Sequence, residues 1–291
     1  MTKVLVLGGT RFFGKKLVSM LLDEGSEVTI VTRGITEDSF GDRVKRIRAD
    51  RTIPEELEKA AAGNVYDIIY DNICYTDTDA LEASRIFEGR VKKYIFTSSL
   101  SVYEFGPEQK KEQDFDPYSY KLEPADEDSI TYGEGKRRAE AVFYQQARFP
   151  VNAVRFPIVL GPDDYTKRLH FHIENIKKDM AIGVPNREAL ISFIHSDEAA
   201  RFLLWLGKSG LEGPVNACSD GEISLSTLFD LLEEATGKEA LIQPITKEEQ
   251  MSPFGISESW YMDNSKAKNA GFEFDDLHEW LPALIGELSK D

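Results

Sequence analysis

The stretch Lys3–Gly14, KVLVLGGTRFFG, restricts the fold more than any other part of the chain. Val4, Leu5, Val6 and Leu7 form an apolar run of the kind a parallel strand shows when crossover helices bury both its faces. Gly8 and Gly9 let the backbone turn where a side chain would block it. Phe12, Leu17, Leu21 and Leu22 then recur at helical spacing, so the loop lies at a helix N-terminus, whose free N–H groups and dipole favour a phosphate. Strand, glycine turn and helix in this order predict a pyrophosphate cradle, although the same turn alone also serves as a tight connection. The middle position, usually glycine in dinucleotide folds, is Arg11; its guanidinium either crowds the pyrophosphate or swings aside to grip a second phosphate.

Glu27 to Thr32, EVTIVT, reads as the second strand. In a dinucleotide fold an acidic residue about twenty positions past the glycines takes the ribose hydroxyls, whereas an arginine accommodates a 2′-phosphate. Here Thr32 and Arg33 precede Gly34, with no carboxylate before Glu37. This predicts a preference for NADP(H) over NAD(H), with Arg11 as a second contact to the same phosphate. A third strand, Val44 to Ala49, delivers Asp50 and Arg51 to the cleft edge, and Pro54 opens the next helix. A fourth, Tyr66 to Asp71, precedes Asn72, Ile73 and Cys74, with a helix from Asp77, as N-cap, to Phe87. A fifth, Lys93 to Thr97, leads into Ser98, Ser99, Leu100 and Ser101. This rhythm predicts an α/β chain with a doubly wound parallel sheet of Rossmann type and ligands at the carboxyl ends of its strands.

The polar, proline-broken stretch from Glu104 to Asp128 reads as a long surface loop. Helical pattern resumes from Ile130 to Arg148, and Val151 to Phe156 makes a sixth strand. From Gly161 onward the elements shorten, which predicts a dinucleotide-binding domain over 1–160 and a smaller substrate lobe over 161–291. Residues 190–206 return to the first domain as one more strand and helix.

Charge and length narrow the function. A net charge of −16 over 291 residues disfavours broad nucleic-acid binding. No apolar run reaches membrane-spanning length and the start lacks a secretion signal, so the expected compartment is the cytoplasm, with no membrane partner. Cys74 and Cys218 suit neither a disulfide framework nor a metal knuckle and are expected to be reduced and buried. His170 and His172 are placed on one face of a strand, but no further ligand completes a metal site.

Tyr132 and Lys136 stand four apart on a helical segment and share a face. An ammonium near a phenol stabilises the phenolate and lowers its pKa, so the tyrosine can pass a proton to or from an alcohol or carbonyl oxygen. A serine at the end of the fifth strand would hold that oxygen. The pair alone is common by chance; its order after a glycine loop and a serine cluster is not.

With GGTRFFG at 8–14, TSSLSVY at 97–103, YGEGK at 132–136, RFPIVLGP at 155–162, FIHSDEAAR at 193–201 and DNSKAKNAGF at 263–272, the chain resembles the extended short-chain dehydrogenases/reductases, which include NAD-dependent epimerases and dehydratases. The resemblance implies Ser99 as catalytic serine, Tyr132 as general acid/base, and Lys136 as the residue that tunes it and holds the nicotinamide ribose. It places Gly8, Thr10, Arg11, Phe12, Phe13 and Gly14 at the pyrophosphate, and Asn72, Ile73, Thr97, Pro157 and Ile158 along the rest of the cofactor. It also implies a small-molecule substrate, hydride chemistry at a secondary alcohol or ketone, and a homodimer formed through the helices at 77–87 and 130–148. Sugar-nucleotide epimerases usually carry asparagine where Ile158 stands and arginine near Ile191; this chain has neither, which leaves the substrate unnamed. Arg11 resembles a divergent GGTRFxG branch that includes chloroplast stem-loop-binding proteins. A nucleotide-binding regulatory or RNA-associated protein is therefore the competing class, and a sugar-nucleotide epimerase or dehydratase the alternative within enzymes.

Overall fold

The computed structural model describes residues 1–126 and 129–290. In chain order the strands are β1 Lys3–Leu7, β2 Glu27–Thr32, β3 Val44–Arg48, β4 Tyr66–Asp71, β5 Val91–Ser99, β6 Val151–Phe156, β7 Ile158–Leu160, β8 Ile182–Gly183, β9 Leu190–Ile191, β10 Phe193–His195, β11 Val215–Asn216, β12 Ile223–Ser224 and β13 Ile242–Gln243. The helices are α1 Phe12–Asp23, α2 Pro54–Ala61, α3 Asp77–Ile86, α4 Tyr132–Gln146, α5 Arg168–Lys177, α6 Ser196–Lys208, α7 Leu225–Thr236, α8 Ser265–Asn269 and α9 Leu277–Leu288.

Seven strands form one sheet in the order β11-β6-β5-β4-β1-β2-β3, parallel at every pairing. The order reverses between β1 and its neighbours β2 and β4, which opens a crevice above their carboxyl ends. Alternation in β1 sets the two layers. Val4 and Val6 pack with Leu17 and Val18 of α1 and Phe202 and Leu203 of α6. Leu5 and Leu7 face the other way, toward Leu57 of α2, Ala83 of α3 and Phe143 of α4. Both faces are covered, and this is why the strand reads as an unbroken apolar run.

Beyond β6, helices α5, α7 and α9 bury a second core around Ile173, Phe229 and Leu281. Residues 190–195 form two short strands rather than one: β9 pairs antiparallel with β12, while β10 lies parallel to β7. Helix α6 packs on the same face of the sheet as α1, and Lys16 of α1 reaches Ser196 at 2.8 Å and Asp197 at 2.7 Å.

Two local expectations are corrected. Helix α3 is capped by Thr76, not Asp77: the Thr76 hydroxyl accepts from the Asp79 N–H in a capping box. His170 and His172 sit on helix α5, where two positions apart means different faces. His172 is buried, bonded to the Arg168 carbonyl and the Ser252 hydroxyl, and burial pushes its pKa down to about 4. Over its described part the stretch from Glu104 is the surface loop expected, held down at two points. Arg155 of β6, fully buried and paired with Glu140 at 2.6 Å, donates to the carbonyls of Glu112 and Phe115 and so straps the segment to the sheet. The final residues of that stretch, 127 and 128, lie outside the described residues.

Candidate functional site

The loop after β1 is shaped by what cannot fit. Gly8 has φ +81°, and a Cβ on it would come within 2.6 Å of Ile73 Cγ2. A Cβ on Gly14 would collide with the Gly8 carbonyl oxygen, so both glycines hold the loop against the start of α1. Phe12, the first residue of α1, has φ +50°, a left-handed conformation unusual for an aromatic residue and worth roughly 1–3 kcal/mol of strain. No side chain caps α1 and no acid stands in its first turn, leaving its N–H groups directed at the crevice.

Beneath the loop, Asn72 accepts a 2.8 Å hydrogen bond from Thr97 Oγ1 at its Oδ1, while its Nδ2 is buried without a partner. An orphaned buried donor beside a cradle that any Cβ would fill is what a bound dinucleotide would satisfy. The crevice has a volume of about 720 Å³, within the range of ligand clefts. Every residue expected at the cofactor or at the chemistry lines it: Gly8, Thr10 to Gly14 without a gap, Thr32, Arg33, Asp50, Arg51, Asn72, Ile73, Thr97, Ser99, Tyr132, Lys136, Pro157 and Ile158. The residues present therefore fit a dinucleotide.

Two of these groups are committed elsewhere. Arg51 is buried with its guanidinium on Asp71 Oδ2 at 2.5 Å and Asp79 Oδ1 at 2.7 Å, and so serves as an ionic floor rather than a free phosphate ligand. Arg11 donates to Thr36 Oγ1 at 2.8 Å and stacks over the Tyr165 ring, 5.6 Å from its centroid. Asp50 accepts from Thr52, which lowers its pKa, with the nearby Arg33 charge adding to the shift.

At the other end of the crevice, β5 carries Ser99 and the cap of Thr131 starts α4 at Tyr132. Tyr132 opens onto the cleft. Withdrawal from bulk water raises its pKa, opposed by a hydrogen bond with Ser99 and by the Arg168 charge. The Lys136 ammonium lies 5.7 Å from the centre of the Tyr132 ring. Lys136 is fully buried, donating to the carbonyls of Cys74 at 2.6 Å and Thr97 at 2.8 Å, and burial pushes it down to about 8. The rings of Tyr75 and Phe96 flank its Nζ at 4.6 and 4.9 Å.

Tyr75, Ser101, Tyr165 and Arg168 also line the cleft and were missed by the motif reading. Ser101 was visible within TSSLSVY, and its Oγ is buried without a partner. The other three follow from no pattern in the sequence. Cys74 and Cys218 are both buried and free, and among the described residues no His, Cys, Asp and Glu cluster is arranged to hold a metal. No described helix is long and apolar enough to cross a membrane.

Residues 4–72 match the family model described as the NAD dependent epimerase/dehydratase family. The chain is 26% identical over 225 residues to chloroplast stem-loop binding protein of 41 kDa b from Arabidopsis thaliana, covering 70% of this chain and 55% of that protein. It is 24% identical over 265 residues to UDP-glucuronic acid decarboxylase 1 of the same plant, covering 83% of this chain and 60% of that protein. The chain thus spans little more than half the length of these curated relatives. Among solved structures, UDP-glucose 4-epimerase from Thermus thermophilus superposes with a TM-score of 0.75 at 18% identity, covering 98% of both chains. Pal from Bacillus thuringiensis gives 0.77 at 21% identity and 99% of both. The dTDP-glucose 4,6-dehydratase of Bacillus anthracis str. Ames gives 0.75 at 15% identity, over 100% of this chain and 96% of that one.

These neighbours overturn the expected preference for NADP(H). The Thermus epimerase, the Bacillus anthracis dehydratase and a Bacillus cereus UDP-glucuronic acid 4-epimerase were all solved with NAD. The physical reason lies in the charges around Arg33. Its neighbour is the Asp50 carboxylate, which repels a 2′-phosphate, and Arg51 is consumed by Asp71 and Asp79. From Val4 to Asn72 the chain is similar to the NAD dependent epimerase/dehydratase family, and over its whole length it carries the fold of the solved epimerases and dehydratase.

Proposed function

We propose that this protein is an NAD-dependent enzyme of the extended short-chain dehydrogenase/reductase type, acting on a secondary alcohol or ketone of a sugar-like substrate, with Tyr132 as general acid/base. The observation that carries the reading is convergence: Ser99, Tyr132 and Lys136 open into the same crevice as the glycine loop and the orphaned Asn72 amide. NAD, when bound, supplies the hydride acceptor or donor. Gly8, Thr10 to Gly14, Asn72 and Ile73 hold the pyrophosphate half, Thr32, Arg33, Asp50 and Arg51 border the adenosine, and Thr97, Pro157 and Ile158 border the nicotinamide. Ser99 holds the substrate oxygen and Tyr132 moves its proton. Lys136, anchored on two carbonyls, presents its remaining N–H to the ribose. Support for a sugar nucleotide comes from the names of the solved neighbours; the missing asparagine at Ile158 and arginine near Ile191 require another way of holding the substrate.

The test is Tyr132→Phe, which keeps the ring and deletes the transferable proton. Turnover should fall by roughly 10²–10⁴, the usual worth of a positioned acid or base, with NAD(H) affinity unchanged. Normal turnover in this variant removes the reading. A second reading, RNA association in the GGTRFxG branch, is favoured by the likeness to the stem-loop binding protein. Retention on an RNA column at moderate salt separates the two. Homodimerisation through α3 and α4 rests on the family resemblance alone and is tested by sedimentation.

A further inference from the structure

Arg168 is the first residue of α5 and lines the cleft from the side of the second core, beside Tyr165 and Thr166. Among the described residues its side chain makes one hydrogen bond, to Thr166 Oγ1 at 3.2 Å, and no carboxylate lies within ion-pair distance of it. Half-buried and unpaired, it projects enough charge to be felt at Tyr132. Its helix does nothing to offset that charge: α5 has no acid in its first turn and its N-cap is Lys167. The dipole's positive end, Lys167 and Arg168 therefore add together.

The other cations of the cleft have partners or lie elsewhere. Arg51 is bound by Asp71 and Asp79, and Lys136 by two carbonyls. Arg11 belongs to the glycine loop, where the cofactor's pyrophosphate would lie, and Arg33 stands by Asp50 at the adenosine end. Asp50 is the one carboxylate among the described residues that line the cleft. A chain of net charge −16 thus keeps a locally positive cleft, and the cofactor's own charges leave the end beside Tyr132 unneutralised.

We propose that Arg168 selects the substrate by binding an oxyanion, a carboxylate or a phosphoryl group, that the substrate carries close to the carbinol carbon presented to Tyr132. This rests on the reading of Tyr132 given above. A guanidinium offers a planar fork that matches either oxyanion bidentately. The same charge rejects a neutral competitor, which would leave the guanidinium desolvated and unpaired. Selection by Arg168 also supplies what the absent asparagine and arginine of the sugar-nucleotide enzymes leave open, namely an anion-reading group on the substrate side.

The test is calorimetric titration of the NAD-saturated protein with three probes of one size class: D-glucuronate, D-glucose 1-phosphate and D-glucose. Saturation with NAD keeps the anions off the pyrophosphate cradle. At least one anionic probe should bind more tightly than glucose, and which one does so identifies carboxylate or phosphoryl as the source. Arg168→Gln should weaken that probe roughly tenfold or more, the worth of a charge-assisted hydrogen bond, and Arg168→Lys should restore part of it. Anion binding no tighter than that of glucose, or unchanged in Arg168→Gln, overturns the proposal. NAD titration of the same samples keeps the two readings apart: wild type that binds NAD but no anion loses only the role of Arg168, whereas wild type that binds no NAD loses the proposed function itself.

Discussion

Gly14 is the residue at which geometry is least forgiving, since the atom a methyl group would meet is the Gly8 carbonyl, part of the backbone and unable to swing away. Gly14→Ala should push the start of α1 off the loop and weaken NAD binding by at least tenfold, measured by fluorescence titration, while the circular dichroism spectrum stays that of the wild type. Unchanged NAD affinity would show that the loop is only a connection. At this scale the sequence was most informative where a residue has one job. Gly8, Gly14, Ser99 and Tyr132 were legible as residues of the crevice because the role proposed for each needs one residue type at one spacing. Lys136 was legible as a cleft residue, but its anchors were not. Its partners are backbone carbonyls of Cys74 and Thr97, 62 and 39 positions away, and backbone carbonyls leave no mark in a sequence. Arg168 left none either, because an unpaired arginine in the stretch TKRLHFH looks like any solvated charge.

The elements of the sheet were easy to read because strands buried on both faces are apolar without interruption, and each one ends where polar residues enter the crevice. The strap after Glu104 was hard to read for the converse reason. Its anchors are carbonyl groups gripped by Arg155, and a buried arginine inside VNAVRF disguises itself as a surface residue. A similar concealment holds at α6, where Glu198 is fully buried, accepting from the Ser219 hydroxyl and from the Asp275 N–H at 2.6 Å. Burial raises its pKa to about 7, against the opposing pull of those hydrogen bonds. The folded state therefore holds this proton more firmly than the unfolded chain does. Stability contributed by the protonated form is complete below the unfolded value of 4.5 and is lost as pH rises through about 7. Glu198→Gln, whose Oε1 can accept from the Asp275 N–H while its Nε2 donates to the Ser219 hydroxyl oxygen, removes the charge and should be more stable than wild type at pH 8, by roughly 2–3 kcal/mol, with the difference vanishing near pH 4. Urea titrations at the two pH values measure this; an equal difference at both would assign it to packing instead.

Across the whole molecule, the crevice is walled by the sheet on one side and by the segment from Tyr165 to Arg168 on the other, and Arg11 stacked on Tyr165 spans its mouth. A ligand that enters here binds the folded chain alone, so NAD at a hundred times its Kd should stabilise the protein by about 2.7 kcal/mol, seen as a rise of several degrees in Tm. NADP at the same concentration should raise Tm less; an equal or larger rise would reverse the cofactor assignment. The cofactor was misjudged from sequence because Arg33 was weighed without Asp50, whose proximity depends on the β2–β3 pairing. That pairing is one end of a sheet whose other end has a separate significance. The outermost strand, β11, comes from residues 215–216, and its partner β6 was made more than fifty residues earlier. A ribosome that has released only the first 160 residues has produced six strands of the sheet with β6 as an open border, its N–H and C=O groups unmatched and its face toward α6 bare. Until residues 193–216 emerge, the nascent chain exposes along β6 a template for pairing with other chains, which the finished fold covers with β11.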